Sequence, residues 1–437
     1  MRRLTDLIYL TLLLALAPII LYRVLRHGRY RRGLREKLLG QLSRPDGIRP
    51  LVWFHAVSVG EIIQLQKVVE QFRHDTQDGF EILITTSTDS GFDLACSRFH
   101  DCTVTWFPLD FSWAVSRALR RVQPDLVVLM ELELWPAFLA ACSSREIPVA
   151  IVNARLSERS SDRYQLIRRW MNPVLSRLAL VAAQSPAAAA RLHSLGVRKE
   201  VLHVTGSIKF DGVQSDRRNP ATIRLRTLLA IPEHAQVLVC GSTQDPEELL
   251  GLRIWRQLRQ EVPDLHLILV PRHRERFEQV ARLVQDSGLP LLRRSAPDTE
   301  AGTADAGTVR LLDTIGELGA CWGLADIAFV GGSFGSRGGQ NMIEPAAYGA
   351  AVMFGPQTRN FRDVVRILQE ADACRELVDE SDFRTAVQEL LRDSSRREQL
   401  GRNAAAVVNS QQGAVSRTSA MLIALLPETS GRARTAA

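Results

Sequence analysis

A repeated pattern constrains this chain more than any single residue does. Short apolar runs return through both halves, and several are followed by a stretch with helical spacing. The first half carries LVWFH (51–55), EILIT (81–85), VTWF (104–107), LVVLM (126–130), VAIV (149–152) and LALVA (178–182). Runs this short and this uniformly apolar fit strands buried on both faces of a parallel sheet. The stretch 61–72 reads as a helix, with Ile62, Leu65, Val69 and Phe72 on one face. After GSIKFD (206–211) the rhythm loosens over 212–220, which reads as an interdomain hinge. It resumes with strands at 237–240, 265–270, 310–312, 327–330 and 351–354 and helices at 246–260 and 274–287. A chain of 437 residues exceeds what one core usually covers. The expectation is α/β: two doubly wound domains facing each other across a cleft, with sites at the carboxyl ends of the strands. The polar stretch 295–308 reads as a surface loop, and 427–437 as a frayed tail.

The stretch 331–356, GGSFGSRGGQNMIEPAAYGAAVMFGP, follows the apolar run at 327–330. Paired glycines let the backbone turn where side chains would clash. Asn341 reads as an N-cap and 342–348 as a short helix that tolerates Pro345 in its first turn. Gly349 can close that helix before the strand at 351–354. Strand, glycine loop and helix start together present backbone N–H groups and a positive dipole end to a phosphate. Glu344 is placed to accept from ribose hydroxyls. An ordinary tight turn between strand and helix is the other reading.

The amino terminus sets the cellular expectation. Residues 7–22 (LIYLTLLLALAPIILY) are nearly all apolar, slightly short of a usual span. Arg23, Arg26, Arg29, Arg31, Arg32, Arg35 and Lys37 follow at once, and the whole chain carries a formal net charge of +7. The positive-inside rule keeps that flank in the cytoplasm, which makes 1–27 a membrane anchor with the rest of the chain inside. A cleaved signal peptide and a helix lying in the interface are the alternatives. Pro18 and the dense basic flank count against cleavage. The charge suits an anionic membrane surface or phosphorylated substrates, and no motif for nucleic acid accompanies it. Six cysteines without C-x-x-C or ligand spacing point to reduced thiols rather than disulfides or a structural zinc.

Strand ends single out the polar candidates. Glu61 opens a helix just after 51–55, as an ionised base or as a helix cap. Glu131 and Glu133 follow 126–130 and, in extended chain, would point to one side, for hydrogen bonding or for pairing with an arginine. Lys209 lies at the hinge, facing a leaving phosphate or solvent. Arg272 follows 265–270 and can fork onto a phosphate, with His273 beside it as a packing residue.

These pieces resemble one family, the 3-deoxy-D-manno-octulosonic acid (Kdo) transferases of lipopolysaccharide assembly. The matching stretches are HAVSVGE (55–61), ELELWP (131–136), NARLSERS (153–160), GSIKFD (206–211), GST (241–243), PRHRERF (271–277) and DTIGEL (313–318), with 331–356 through NFRDV (360–364). The resemblance implies a GT-B fold. An acceptor-binding domain would span 28–211 and a CMP-sugar-binding domain 212–426. It implies CMP-Kdo as donor, the lipid A precursor as acceptor, and the inner membrane as location. By the same resemblance Glu61 is the catalytic base, and Glu131 and Lys209 steady the transition state. Pro271, Arg272, Ile315, Gly316, Glu317, Asn341, Met342, Ile343 and Glu344 contact CMP. Gln244 and Gln340 depart from the pattern, which has histidine there, and so lose a titratable group.

The chemistry is consistent with this. A CMP-linked ketose leaves through an oxocarbenium-like state with a phosphate ester departing. A helix N-terminus with Lys209 and Arg272 can stabilise that charge without a metal. There is no D-x-D acid pair to hold one. One inverting displacement uses Glu61 as base, whereas a covalent intermediate would need a carboxylate such as Glu131. Other readings are a UDP-sugar GT-B enzyme and a non-catalytic membrane-anchored scaffold. A dehydrogenase lacks its G-x-G-x-x-G after the first strand.

Overall fold

The computed structural model describes residues 32–45, 47, 49–296 and 304–426, with isolated positions between 6 and 26. The chain divides into two compact units, Met1–Asp211 with Gln412–Ala437, and Gly212–Gln411.

The first unit is built on seven strands: β1 Leu51–His55, β2 Glu81–Thr86, β3 Thr103–Trp106, β4 Leu126–Met130, β5 Val149–Ala154, β6 Leu180–Ala183 and β7 Leu202–Val204. All pair in parallel, in the order β3-β2-β1-β4-β5-β6-β7. β1 shows why its run is continuously apolar. Leu51 and Trp53 enter the core on one face, and Val52 and Phe54 enter the core on the other. The chain winds outward from β1 to β3 and then returns to the other side of β1 with β4. The reversal of direction lies between β1 and β4, where open α/β sheets place their ligands.

The second unit repeats the plan. Its strands are β8 Gln236–Thr243, β9 Leu265–Pro271, β10 Leu291–Arg293, β11 Val309–Leu311, β12 Ile327–Val330, β13 Ala351–Phe354 and β14 Arg375–Glu376. The order is β10-β11-β9-β8-β12-β13-β14, again parallel throughout. Its reversal falls between β8 and β12.

Several expectations need correction. β7, β10 and β14 were not expected, because runs of three, three and two residues give almost no periodic signal. The run expected at 178–182 pairs as Leu180–Ala183, and the one expected at 310–312 as Val309–Leu311. Residues 412–426 do not belong with the second unit. The helix Ala414–Ala424 packs Ala414, Val415 and Leu422 into the core that holds Phe54 and Phe72. The stretch 212–220 is held in the second unit, where Arg217 donates to the carbonyl oxygens of Ala325 (2.6 Å) and Tyr348 (2.8 Å).

Most of the expected anchor, 1–27, and the tail 427–437 lie outside the described residues. Among the described residues no helix is long and apolar enough to cross a membrane. Two early positions meet the first unit. The Asp6 carboxylate accepts from Ser112 N (2.7 Å), and the Tyr9 hydroxyl donates to Asp110 (3.2 Å).

Candidate active site

At the carboxyl edge of the first sheet, Ser58 opens the helix Val59–Asp75 and its hydroxyl oxygen accepts from Glu61 N at 3.3 Å. Glu61 reciprocates. One carboxylate oxygen accepts from the Ser58 hydroxyl (2.8 Å) and the other from Val57 N (2.9 Å). This S-x-x-E capping box holds the Glu61 carboxylate in one place, with the residue only 8% exposed. Burial pushes its carboxyl above the ordinary range, against the pull of the Val57 and Ser58 hydrogen bonds, and the negative charge of Glu131 adds to the rise.

Glu131 and Glu133 follow β4, on the other side of the reversal. The chain is not extended there, because Glu131 has φ 55° and Leu134 N bonds back to Leu132 O. Strand alternation therefore does not put them on a common side, yet the charges of Glu61 and Glu131 both act on Glu133. Burial first, then the charge of Glu61 and that of Glu131, push the Glu133 carboxyl up to about 7. Glu131 pairs with Arg155, whose Nε lies 2.9 Å from its Oε2. Among the described residues no group of three or more His, Cys, Asp or Glu has the placement to hold a metal ion.

Lys209 lies in the short turn Ile208–Phe210, after β7 on the same sheet edge. A buried amide bracket ties that turn to the start of the Glu61 helix. Asn153 Oδ1 accepts from Ile208 N (3.2 Å), Asn153 Nδ2 donates to Gln64 Oε1 (2.7 Å), and Gln64 Nε2 donates to Gly60 O (3.0 Å). Asp211 ends the turn by accepting from Gly413 N (2.6 Å) and Val415 N (2.5 Å), which ties the start of the last helix to this turn. His55 is buried, stacked on Phe107 with centroids 3.8 Å apart, and held neutral because burial lowers its pKa to about 3. Sequence reasoning missed Gln64, Asn153 and Asp211 as supports. Asn153 and Asp211 stood inside quoted motifs, and only the positive φ of Asn153, 54°, marks it as special.

In the second unit the three expected donor segments, together with Gln244, follow four neighbouring strands. Gln244 follows β8, Arg272 follows β9, 315–317 follow β11 and 341–344 follow β12, with sheet order β11-β9-β8-β12. Parallel pairing puts all four on one edge. The Arg272 side chain is exposed, and its N–H donates to Thr243 O (3.0 Å). Ile315 is 71% exposed, Gly316 has φ 91°, and Glu317 is ion-paired to Arg294 at 3.0 Å.

The glycine stretch turns as expected but spends its N–H groups differently. Those of Gly332 (2.7 Å), Ser333 (2.9 Å) and Phe334 (3.0 Å) donate to the carboxylate of Glu247. The nest expected to cradle a phosphate is therefore filled by the protein's own anion. The helix beyond is Ile343–Ala347, five residues long, with Met342 rather than Asn341 at its N-cap position. Asn341 Oδ1 still accepts from Ile343 N (3.1 Å), and its Nδ2 donates to Glu344 (2.9 Å). Met342 and Ile343 are buried, main chain included, so of this segment Asn341 and Glu344 are the residues left open to a ligand. Gln244 and Gln340 converge: the amide nitrogens of both lie within 3.4 Å of where a Cβ on Gly332 would stand.

Two parallel, doubly wound units of this topology define a GT-B-like α/β protein. The solved structure of UDP-GlcNAc 2-epimerase from Neisseria meningitidis bound to UDP-GlcNAc shares this fold, with a TM-score of 0.56 and 16% identity over 86% of this chain and all of that one. A family model described as 3-deoxy-D-manno-octulosonic-acid transferase (kdotransferase) matches residues 26–212. The 3-deoxy-D-manno-octulosonic acid transferase of Haemophilus influenzae is 36% identical over 419 residues, 94% of this chain and 96% of that protein. The enzyme of the same name from Bordetella pertussis is 34% identical over 430 residues, 94% and 97% of the two chains. The chain belongs to the 3-deoxy-D-manno-octulosonic acid transferase family and is a glycosyltransferase.

Proposed function

We propose that this enzyme transfers Kdo from CMP-Kdo to the lipid A precursor in lipopolysaccharide assembly, by one inverting displacement with Glu61 as general base. The observation that carries the reading is similarity to Kdo transferases along almost the whole chain. In the first unit, each Glu61 oxygen that accepts one hydrogen bond keeps a second lone pair for the acceptor hydroxyl. The proton passes to that carboxylate as the hydroxyl oxygen attacks the anomeric carbon, and CMP departs with the bonding pair. A raised pKa suits a base working near neutrality. Lys209 and the Arg155-paired Glu131 balance charge as the sugar becomes oxocarbenium-like.

The second unit holds CMP, through Pro271–Arg272, 315–317 and the 341–344 segment. The reaction is proposed to need no metal ion. The acceptor's chemistry also fits a surface of the first unit. Leu166 (86% exposed) and Trp170 (65% exposed) stand out beside exposed Arg163, Arg168 and Arg169. Apolar side chains suit acyl chains, and arginines suit the precursor's phosphates. The enzyme works at the cytoplasmic side of the inner membrane, held to its anionic surface through the basic amino-terminal region.

Mass analysis of the lipid after incubation of purified enzyme with CMP-Kdo and lipid A precursor tests the reading. A product heavier by one or more Kdo units is expected. No Kdo-lipid, or transfer from a UDP-sugar in its place, would overturn it.

A further inference from the structure

Glu247 lies outside the stretches quoted above for the resemblance, yet among the described residues of the second unit's ligand edge its carboxylate takes four backbone N–H groups. It opens the helix Glu247–Leu258 directly after β8 and is 1% exposed. Its Oε2 accepts from Gln244 N (2.9 Å) and Gly332 N (2.7 Å), and its Oε1 from Ser333 N (2.9 Å) and Phe334 N (3.0 Å). One side chain thus joins the loops after β8 and β12, the two strands that flank the reversal.

The fit is close. A Cβ on Gly331 would stand 2.6 Å from Thr243 Cα and 2.7 Å from the Glu247 carboxylate, so only glycine lets the two loops approach. Gly332 follows with φ 66°, which aims successive N–H groups at one point. Ser333 is locked from the far side, since its hydroxyl donates to Val330 O (2.7 Å) and accepts from Gly355 N (2.9 Å). The outer surface of this assembly carries Gln244 and Gln340, which meet over Gly332.

We propose that Glu247 is the positioning residue of the sugar-nucleotide site, an internal carboxylate that shapes the 331–334 loop and keeps the donor's phosphate out of that nest. It rests on the reading that the second unit binds CMP. A filled nest repels a second anion. The phosphate is left to the remaining donors on the same edge, around Arg272 and the 338–341 turn, and the loop keeps its form with or without nucleotide. A carboxylate is required because four N–H groups point at it. A glutamine would turn its own N–H groups toward some of those donors.

The test compares wild type, Glu247→Gln and Gly332→Ala for CMP binding by calorimetry, and for KM of CMP-Kdo and of acceptor in steady-state transfer. Glu247→Gln is expected to weaken CMP and raise the CMP-Kdo KM by about tenfold or more, with the acceptor KM unchanged. Gly332→Ala disturbs the same loop without touching the carboxylate and should shift the same two constants, so it answers if Glu247→Gln does not fold. Unchanged CMP affinity in a folded Glu247→Gln, or in Gly332→Ala should Glu247→Gln not fold, with wild type binding normally, would overturn the proposal alone. Wild type that binds no CMP would overturn the donor reading and this proposal with it.

Discussion

Glu61 and Glu247 occupy the same place in two sheets of the same design. Each lies in the first turn of the helix that follows the first strand of its unit, beside the reversal, and each is nearly buried, at 8% and 1% exposed. Burial pushes both carboxyls upward. Their neighbours differ. Glu61 takes one N–H and one hydroxyl from its own helix start and looks toward Glu131 and Glu133. Glu247 takes four N–H groups, three of them from the loop after the neighbouring strand. The loop across the reversal decides the outcome. A glycine turn saturates the carboxylate and makes it architecture, whereas acidic residues leave it partly bonded and available to a proton.

The contrast should show first in stability. Glu247→Ala strands four N–H groups, two of them buried, and at roughly 1–3 kcal/mol for each buried unsatisfied group a loss of at least ~2 kcal/mol in urea unfolding is expected. Glu61→Ala removes a cap, worth about 1 kcal/mol. Equal losses would break the comparison. Next in size, Lys209→Ala should lower kcat for Kdo transfer by ~10²-fold while CMP affinity holds, read by product formation and calorimetry. An effect on CMP affinity alone would move Lys209 from chemistry to binding. Asp211→Ala releases Gly413 and Val415, for about 1–2 kcal/mol, and hydrogen exchange across Ala414–Ala424 should quicken.

The smallest effect is a pH dependence. The Glu133 carboxyl sits near 7 in the fold against an ordinary 4.5, so the folded state holds its proton more tightly. That contribution is full below pH 4.5 and fades as pH rises through about 7. Glu133→Gln mimics the protonated form, so at pH 8 it should be more stable than wild type by ~1–3 kcal/mol, with no difference below pH 4.5. Melts at both pH values check this, and a gain at low pH would contradict the sign.

Much of this was legible in the sequence because parallel strands buried on both faces write themselves as unbroken apolar runs. β1, β4, β12 and β13 fell where LVWFH, LVVLM, IAFV and AVMF stand. Glu61 was legible for a related reason, since a polar residue just past such a run must lie at the sheet's ligand edge. Long-range partners were not legible. The four N–H groups on Glu247 come from residues up to 87 positions away, and nothing local distinguishes it from Glu248 beside it. The last helix could have covered either sheet; Asp211, 204 residues before Val415, settles which. Glu131 was read in extended chain, but a left-handed residue broke the alternation.

The most direct test of the central claim is the single-turnover rate of Kdo transfer by Glu61→Gln with CMP-Kdo and lipid A precursor both saturating. Glutamine keeps the size of the side chain and removes only its capacity to take a proton. The account predicts a fall of about 10²–10⁴-fold with CMP affinity unchanged. A rate within a few-fold of wild type would leave Glu61 as a helix cap and nothing more.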